Sequence, residues 1–379
     1  MTESNHPTSP TPAGPTGTWR RMLAVWFAVV VVFAVAVEGL ARLAVPAPGE
    51  KTLAAWRHTM AVLGASAINE ASTFDPYLFW VLKPNLRDLR VAGTSPEGDR
   101  IDFAFSTNAL GLRGREVTPK GQRMRVLAIG DSCTFGLGVN DADAWPAQLQ
   151  CMLDENGGGA QWDVINAGVY GYSAFQGLRY LERMGFALKP DVIIVQFWAN
   201  DAERWSLSDR EVARRLALTR WEAPLMRSRF YCWLKQTMQR TDFGRILAPD
   251  GPVVRESVDE FAQTLRAIRD SGTTRGIKTL FVEWPVREQV QRPPFQPNAY
   301  QRAIEGIAAE TNAPLVNPYQ QFLIANSFPY VDPVHASRTG CALVASDVME
   351  ALARLYPGAL TLPPPESSAS SVTGGGNGP

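Results

Sequence analysis

The longest hydrophobic stretch of the sequence lies near the N-terminus. Apolar residues and one glycine fill residues 22–45, and only the charged Glu38 and Arg42 interrupt them. A run of this length can cross a bilayer, which takes about 20 residues of helix. Glu38 and Arg42 are four residues apart, so they share one helical face at the end of the run, where long side chains reach the membrane surface. The pattern predicts a transmembrane anchor over residues 20–45 that contacts the membrane through residues 22–45.

A cleaved signal peptide is the main alternative for this run. Cleavage requires small residues before the cut and no proline directly after it, whereas Pro46 and Pro48 follow the run. We therefore expect an uncleaved anchor and a single-pass membrane protein. Arg20 and Arg21 precede the run and favour an N-terminus in the cytoplasm, although basic residues beyond the run compete with them. This orientation places the rest of the chain outside the cytoplasm, in the periplasm or at the cell surface.

The segments that flank the anchor have different compositions. Residues 1–19 and 358–379 are rich in Pro, Ser, Thr and Gly without an apolar period, which predicts disordered tails. Residues 46–122 combine a short linker, an amphipathic juxtamembrane helix at 53–68, and short apolar pieces separated by turn signals over 74–115. We expect these short pieces to form a small β-rich accessory segment.

From Arg125 onward, apolar strands alternate with helical stretches, and this pattern is typical of a parallel sheet covered on both faces. The predicted strands are residues 126–129, 162–166, 192–197, 279–284 and 314–316. The predicted helices are residues 143–155, 174–186, 255–271, 298–312 and 338–355. The fold class is therefore α/β, a flavodoxin-like three-layer α/β/α domain with a five-stranded parallel sheet over residues 123–357. Ligands of such a domain bind beyond the carboxyl ends of the strands.

One segment of this domain, residues 203–247, departs from the alternation and predicts a helical insertion. Arginines and tryptophans are interleaved along it. A solvated basic face with tryptophans packed inward is the favoured interpretation. The alternatives are a lid or ledge for an anionic or sugar substrate, and a surface that touches anionic lipid.

The overall composition narrows the function classes. Lys+Arg and Asp+Glu both number 37, so no basic excess indicates nucleic-acid binding. The four cysteines form no Cys-x-x-Cys pair and have no histidines near them at metal-ligand spacing, so we expect no metal site.

A serine stands directly after the first predicted strand, at the edge where catalytic residues of this fold class lie. This residue, Ser132, needs a base to become a nucleophile near neutral pH, and histidine is the usual one. Of the three histidines, His6 lies in the predicted tail and His58 in the juxtamembrane helix, so only His335 belongs to the α/β domain. Asp332 precedes His335 by three residues and can accept its Nδ1 proton. Ser132, His335 and Asp332 are therefore the candidate catalytic residues.

Acyl transfer through a serine also needs hydrogen-bond donors for the developing oxyanion. Gly168 follows the second strand, where glycine lets a backbone N–H approach a substrate closely. Asn200 follows the third strand and offers a side-chain amide. These two residues, together with the Ser132 N–H, are the candidate oxyanion hole.

The order of these residues resembles that of the SGNH hydrolase superfamily, also called GDSL esterases and lipases. The resemblance covers residues 123–355 and implies that the domain at 123–357 is an SGNH hydrolase domain. It assigns the nucleophile to Ser132, the oxyanion hole to Ser132, Gly168 and Asn200, and the orienting acid and base to Asp332 and His335. Cys133 and Trp198 depart from residues common in the family, and Trp198 is expected to narrow the pocket.

The anchor and the stretch Ser106 to Gly114 resemble membrane-tethered bacterial members of the superfamily, which are often connected with acyl groups on envelope polysaccharides. We therefore expect a serine esterase that hydrolyses an ester-linked acyl group on an envelope carbohydrate or lipid through an acyl-Ser132 intermediate. No metal or organic cofactor is needed for this chemistry, and no nucleic-acid partner is expected. One alternative is an O-acetyltransferase that modifies an exopolysaccharide. Another is a non-catalytic polysaccharide-binding or assembly factor.

Overall fold

The chain divides into two units, which we name the N-terminal unit and the α/β unit. The N-terminal unit comprises residues 1–50 and 218–242, and the α/β unit comprises residues 51–217 and 243–379. The computed structural model describes residues 18–44, 70–75, 77–94, 98–157, 161–216, 225, 228–239 and 251–360. The predicted juxtamembrane helix and nearly all of both predicted tails lie outside these residues.

The regular elements follow the predicted alternation closely. The strands are β1 (Ser72–Asp75), β2 (Phe79–Leu82), β3 (Leu89–Thr94), β4 (Arg100–Phe105), β5 (Met124–Gly130), β6 (Trp162–Gly168), β7 (Val192–Gln196), β8 (Arg204–Trp205), β9 (Val253–Val254), β10 (Lys278–Val282) and β11 (Leu315–Val316). The helices are α1 (Thr18–Ala44), α2 (Ser132–Phe135), α3 (Trp145–Asn156), α4 (Ala174–Arg183), α5 (Asp209–Leu216), α6 (Arg229–Gln239), α7 (Val258–Thr273), α8 (Arg287–Gln291), α9 (Ala299–Thr311), α10 (Tyr319–Ile324) and α11 (Arg338–Leu355). Short 3-10 turns cover Asp141–Asp143 and Gly185–Leu188.

The N-terminal unit contains α1 and α6. Helix α1 has 27 residues, which corresponds to about 40 Å at 1.5 Å per residue. It is the one helix among the described residues that is long and apolar enough to cross a membrane. A membrane anchor and a signal sequence both have these properties.

The α/β unit is built on a five-stranded parallel sheet with the strand order β11-β10-β7-β5-β6. Counted along the chain, this order is 2-1-3-4-5, so the prediction of a flavodoxin-like sheet is confirmed. The strands alternate between two apolar cores because successive side chains point to opposite faces. Leu127 and Ile129 pack toward the side of α4, α7 and α9, whereas Val126 and Ala128 pack toward α3 and α11.

The accessory segment is β-rich, as predicted. Strands β1 and β2 form one antiparallel pair, and β3 and β4 form another. Their large side chains Phe79, Trp80, Phe103 and Phe105 are buried in the same core as one face of the central sheet. The accessory segment is therefore part of the α/β unit's core.

The predicted insertion is described only in part. Strands β8 and β9 pair at its base, and α5 follows β8. Trp205 is buried, in agreement with an inward-packed tryptophan, whereas Trp233 on α6 is 46% exposed. Trp221 lies outside the described residues.

Candidate active site

Three side chains from distant parts of the sequence meet at the carboxyl edge of the sheet. Ser132 begins α2 directly after β5, and His335 lies in the loop before α11. The Oγ of Ser132 lies 2.7 Å from Nε2 of His335. The Nδ1 of His335 lies 2.6 Å from Oδ2 of Asp332. The structure thus brings together all three residues that the sequence singled out as nucleophile, base and orienting acid.

The position of Ser132 follows from a tight connection between β5 and α2. Asp131 caps the helix because its Oδ1 accepts the Cys133 N–H at 2.8 Å. Gly130 allows the close passage of the chain, since a Cβ at that position would lie 2.7 Å from the backbone oxygen of Gln196. Gly136 ends α2 in the left-handed conformation with φ of +88°. The first N–H of the helix, that of Ser132, has no acceptor among the described residues, as expected for the first turn of a helix.

The acid-base pair is fixed by backbone hydrogen bonds. Oδ1 of Asp332 accepts the N–H groups of Val334 at 2.8 Å and His335 at 2.7 Å, which leaves Oδ2 for the imidazole. Although burial opposes it, the neighbouring His335 charge and these hydrogen bonds lower the pKa of Asp332 to about 2. Burial disfavours the imidazolium, but the Asp332 carboxylate outweighs it and raises the pKa of His335 above its usual 6.5.

This geometry selects one tautomer of the neutral imidazole. An ionised Asp332 can only accept at 2.6 Å, so Nδ1 of His335 carries the proton. The lone pair of Nε2 then faces the hydroxyl of Ser132. This arrangement can remove the hydroxyl proton and stabilise the imidazolium that results.

Asn200 lies on the loop after β7, the strand that pairs with β5 in the sheet. Its Nδ2 donates one hydrogen to the carbonyl of Tyr172 at 3.0 Å. A carboxamide nitrogen carries two hydrogens, and the second N–H of Asn200, which has no acceptor among the described residues, can donate to a ligand. The side chain is thus oriented by the loop after β6, as an oxyanion donor must be.

The structure gives Gly168 a different contact from the predicted one. Strand β6 extends through Gly168, which pairs with Gly130, and its N–H donates to Oδ1 of Asn166 at 3.0 Å. A Cβ at Gly168 would lie 2.3 Å from the Phe135 nitrogen. Glycine is therefore required here for the packing of β6 against α2, and the N–H that was predicted to be an oxyanion donor is bonded to Asn166 in this structure. Strand β6 is thus two residues longer at its carboxyl end than the predicted strand 162–166.

Sequence reasoning missed Gly171, which lies in the loop between β6 and α4. This residue has a φ of +76°, which favours glycine. No described residue accepts its N–H. Its neighbour Tyr172 holds the amide of Asn200. The sequence signal that could have pointed to Gly171 is its position two residues before Ser173, a serine that caps the N-terminus of α4.

A buried arginine forms a hydrogen bond to the loop that carries Gly171. Arg255 is 0% exposed, and its Nη1 donates to the Gly171 carbonyl at 2.7 Å. Its remaining donors bind Gln176 at 2.7 Å and the Asp209 carboxylate at 2.9 and 3.1 Å. The guanidinium also lies over the ring of Trp205, 4.2 Å from its centroid. The β8 to α5 segment thus supports the loops of the site.

Two buried carboxyl groups hold the start of α4. Oδ1 of Asp201 accepts the Ala174 N–H at 2.7 Å, and Oε2 of Glu256 accepts the Phe175 N–H at 3.1 Å. Burial and the nearby Glu256 charge raise the pKa of Asp201, whereas burial and the nearby Asp209 charge raise the pKa of Glu256. Asp201 directly follows Asn200, so these hydrogen bonds connect the loop after β7 to the helix after Gly171.

Trp198 also lies at this edge of the sheet. Its indole N–H donates to the carbonyl of Trp284 at 2.9 Å. The indole N–H of Trp284 in turn donates to the carbonyl of Val334, next to His335, at 2.9 Å. The two tryptophans therefore connect the loop of Asn200 to the loop of His335.

Metal-ligating groups do not cluster in the part of the chain that the structure describes. No group of three or more His, Cys, Asp or Glu side chains there is placed to hold an ion. All four cysteines are free thiols. Cys133, next to Ser132, is buried, and burial raises the pKa of its thiol, so it stays protonated.

Comparison with known proteins finds a matching family and a similar esterase. The model of the GDSL-like lipase/acylhydrolase family matches residues 128–343. Esterase TesA of Pseudomonas aeruginosa is 28% identical over 88 residues, which span 23% of this chain and 43% of TesA, so less than half of that relative is matched.

Solved structures show weaker likenesses. A crystal structure of TesA is 17% identical, covers 61% of this chain and 99% of its own, and superposes with a TM-score of 0.42. Axe2, an acetylxylan esterase from Geobacillus stearothermophilus, is 18% identical, covers 62% of this chain and 96% of its own, and gives a TM-score of 0.40.

Proposed function

Because the chain belongs to the GDSL-like lipase/acylhydrolase family, whose members act on esters, we propose that it hydrolyses an ester-linked acyl group through a covalent acyl-Ser132 intermediate. The observation that carries this proposal is the chain of two short hydrogen bonds, 2.7 Å from Ser132 to His335 and 2.6 Å from His335 to Asp332. A binding protein has no need of such a relay. The esterase interpretation is therefore preferred over a non-catalytic assembly factor.

The reaction proceeds in two balanced halves. Nε2 of His335 takes the hydroxyl proton as Oγ of Ser132 bonds to the ester carbonyl carbon. The bond to the alcohol oxygen then breaks, and His335 gives that oxygen its proton. Water attacks the acyl-Ser132 in the second half, again losing a proton to His335. The acid leaves, and Ser132 recovers its hydroxyl hydrogen.

The oxyanion of each tetrahedral intermediate needs donors that are oriented in advance. We assign this role to the N–H of Ser132 and the second Nδ2 hydrogen of Asn200, as expected from the sequence. The N–H of Gly171 takes the place that the sequence analysis gave to Gly168. The support for this exchange is that the Gly168 N–H is already bonded to Asn166, whereas the Gly171 N–H has no acceptor in the described part of the chain.

The proposed substrate is an acyl ester of an envelope carbohydrate or lipid. Its support is the apolar helix α1, which as an anchor would tether the chain to the membrane with the α/β unit outside the cytoplasm. Ser132, Asn200 and His335 are partly exposed, so the alcohol part of a large substrate can remain outside the protein.

The proposal is tested with the full chain purified in detergent. We expect it to hydrolyse p-nitrophenyl acetate and to be labelled on Ser132 by a fluorophosphonate, and we expect Ser132→Ala to lose both properties. Ser327→Ala is the matched control, because Ser327 is an exposed serine whose hydroxyl contacts only Thr339 among the described residues. Equal rates for Ser132→Ala and the wild type would overturn the catalytic assignment.

The same protein distinguishes hydrolysis from transfer. With an acetyl donor and a polysaccharide acceptor, hydrolysis predicts that free acetate accounts for the donor consumed. Acetylated polysaccharide in excess of free acetate would instead show an O-acetyltransferase that uses the same acyl-Ser132 intermediate.

A further inference from the structure

Within the N-terminal unit, a carboxylate on α1 binds the first turn of α6. Glu38 accepts the Ser228 hydroxyl at 2.7 Å and the backbone N–H groups of Arg229 and Phe230 at 3.1 and 3.3 Å. Arg42, one turn further along α1, donates to the same carboxylate at 2.8 Å. The Glu38 carboxylate, which interrupts the apolar run, therefore accepts hydrogen bonds from the first turn of α6. A negative group in this position stabilises the helix, because the N-terminus of a helix is the positive end of its dipole.

Helix α6 turns large apolar side chains outward. Phe230, Trp233 and Leu234 are 38%, 46% and 36% exposed. Their spacing of three and four residues places them on one helical face, and the rings of Phe230 and Trp233 are 5.9 Å apart. Cys232 is 2% exposed, so α6 has distinct buried and exposed sides.

Helix α1 also exposes apolar side chains on either side of Glu38. Val35 and Leu40, which flank Glu38 in the sequence, are each 67% exposed. An open groove lies along α1 beside Ser228, the residue before α6, and its mainly apolar lining includes Val31 and Ala34. Exposed apolar surface on two contacting helices is typical of an interaction site.

The position of Glu38 along α1 identifies the partner. Glu38 lies six residues before the end of the helix at Ala44. A helix that enters the hydrocarbon near its N-terminus and needs about 20 residues to cross it reaches the far membrane surface close to Glu38. Aromatic residues are enriched at that depth, and amphipathic helices lie in the same plane with their apolar face in the lipid.

We propose that α6 is an interfacial helix, which docks on the lipid bilayer beside the C-terminal end of α1 through Phe230, Trp233 and Leu234. The occupant of its exposed face is the bilayer itself. This docking requires that α1 remains attached, because the N-terminus of α6 is bound to Glu38. The inference does not depend on the proposed esterase activity.

The test uses the full chain in phosphatidylcholine vesicles. Cys151 is the exposed thiol and the other three cysteines are buried, so Cys151→Ser leaves a background for site-specific labelling. An environment-sensitive fluorophore is placed through Trp233→Cys or Leu234→Cys. Val30→Cys within α1 is the lipid reference, and Thr274→Cys, an exposed position in the α/β unit, is the reference for water.

We expect the labels at 233 and 234 to show blue-shifted emission and weak quenching by iodide. They should be quenched more strongly by lipids with a nitroxide near the headgroup than by lipids with one near the chain end. Emission and iodide quenching equal to those at 274 would overturn the proposal. So would an intact mass of the membrane-extracted protein that lacks the α1 segment.

A second, independent inference concerns Arg113 in the accessory segment. Its guanidinium is buried below α2 and donates to the carbonyls of Phe135 and Gly136 at 2.8 and 2.6 Å and of Val139 at 2.6 Å. Nε binds Asp141 at 2.8 Å. The guanidinium also lies 4.6 Å from the centroid of the Phe135 ring. Arg113 thus satisfies the carbonyls at the end of the short helix that begins with Ser132.

The geometry points to Arg113 as a positioning residue for the nucleophile, an inference that rests on the proposed role of Ser132. A helix of four residues makes few hydrogen bonds of its own, so its orientation depends on outside partners. Arg113 donates hydrogen bonds to two carbonyls at the end of this helix and to a third, that of Val139, just beyond it. Its backbone also forms a bridge to Asn166 on β6, which fixes the arginine relative to the sheet.

The test compares Arg113→Met with Arg125→Met in the full chain. Arg125 is equally buried and also binds two carbonyls and a carboxylate, those of Leu188, Thr118 and Asp163. It lies at the opposite end of β5 from Ser132. Both variants are expected to lower the melting temperature, and only Arg113→Met is expected to lower kcat and the rate of fluorophosphonate labelling, with KM little changed.

Equal kcat losses in the two variants, or a normal kcat in Arg113→Met, would show that Arg113 has only a structural role. Where Arg113→Met does not fold, Arg113→Lys replaces it, because an ammonium reaches fewer of the three carbonyls and should retain part of kcat. These outcomes differ from failure of the proposed function, in which Ser132→Ala would keep the activity.

Discussion

Asp332→Asn is the substitution that examines the acid-base pair most directly. The asparagine oxygen can still accept the two backbone N–H groups that now bind Oδ1 of Asp332, so the loop should keep its shape. Its amide nitrogen, however, would donate to Nδ1 of His335. The imidazole would then carry its proton on Nε2, and no lone pair would face Ser132.

The magnitude has two contributions. The pKa of Asp332 falls from 3.8 to about 2, and at 1.36 kcal/mol per unit this shift corresponds to about 2 kcal/mol in favour of the ionised group. Part of this free energy comes from the attraction between the Asp332 carboxylate and the His335 imidazolium, which forms in the transition state. The neutral side chain of Asp332→Asn loses that part. The wrong tautomer adds to this loss, and in serine hydrolases the same change lowers kcat by roughly 10⁴-fold. We expect a loss of roughly 10³- to 10⁴-fold.

The assay is steady-state hydrolysis of p-nitrophenyl acetate by the full chain across pH. The wild type needs neutral His335, whose pKa lies above 6.5 because of Asp332. In Asp332→Asn the apparent pKa of the base should fall, while kcat drops and KM changes little. A kcat within a few-fold of the wild type, or an acid limb that does not move, would refute the orienting role of Asp332.

Three further predictions concern the same site. The kcat/KM of the wild type should rise with pH through an apparent pKa above 6.5, because protonated His335 cannot accept the Ser132 proton; a profile that is flat from acid to alkaline pH would contradict this. Asn200→Ala should lower kcat by roughly 10²- to 10³-fold through the loss of one oxyanion donor, and a loss confined to KM would indicate a substrate-binding role instead. Gly168→Ala should lower the melting temperature, because its Cβ would lie 2.3 Å from the Phe135 nitrogen; unchanged thermal unfolding would exclude the packing role.

The same pKa shifts predict how the stability of the fold depends on pH. The pKa of Asp332 is lowered on folding, so its contribution is fully present above pH 3.8 and is lost as the pH falls toward about 2. The pKa of His335 is raised, so its contribution is present below 6.5 and is lost as the pH rises through its folded value. The pair therefore stabilises the fold most between these two limits.

The sheet and the triad could be predicted because their signals are strong and partly local. Continuous apolar runs placed the five strands, and the observed strands differ from the prediction by at most two residues at any end. Asp332 and His335 are three residues apart, and His335 is the single histidine of the α/β domain. Because all five strands are parallel, their carboxyl ends meet at one edge of the sheet, which brings Ser132 to the edge where His335 lies.

The oxyanion loop could not be predicted in the same way. The apolar pattern does not show where β6 ends, because Asn166 and Gly168 continue the strand with polar and small residues. The first glycine after the apolar run, Gly168, was therefore the natural candidate, whereas the observed hydrogen bonds lead us to propose Gly171. The decisive fact is which N–H is already bonded, and that depends on the Asn166 side chain.

The residues that hold the loops of the site lie far from those loops in the sequence, and there is a physical reason for this. Loops at the carboxyl edge of a parallel sheet leave backbone carbonyls without ladder partners, and buried carbonyls must find donors. Arginine offers five donors in a fixed plane, so one side chain can bind several carbonyls while a carboxylate balances its charge. Arg113 with Asp141 does this for α2, and Arg255 with Asp209 does it for the Gly171 loop. Both arginines come from outside the five strands. We therefore expect the accessory segment and the base of the insertion to hold the proposed catalytic groups in place, although neither supplies one of them.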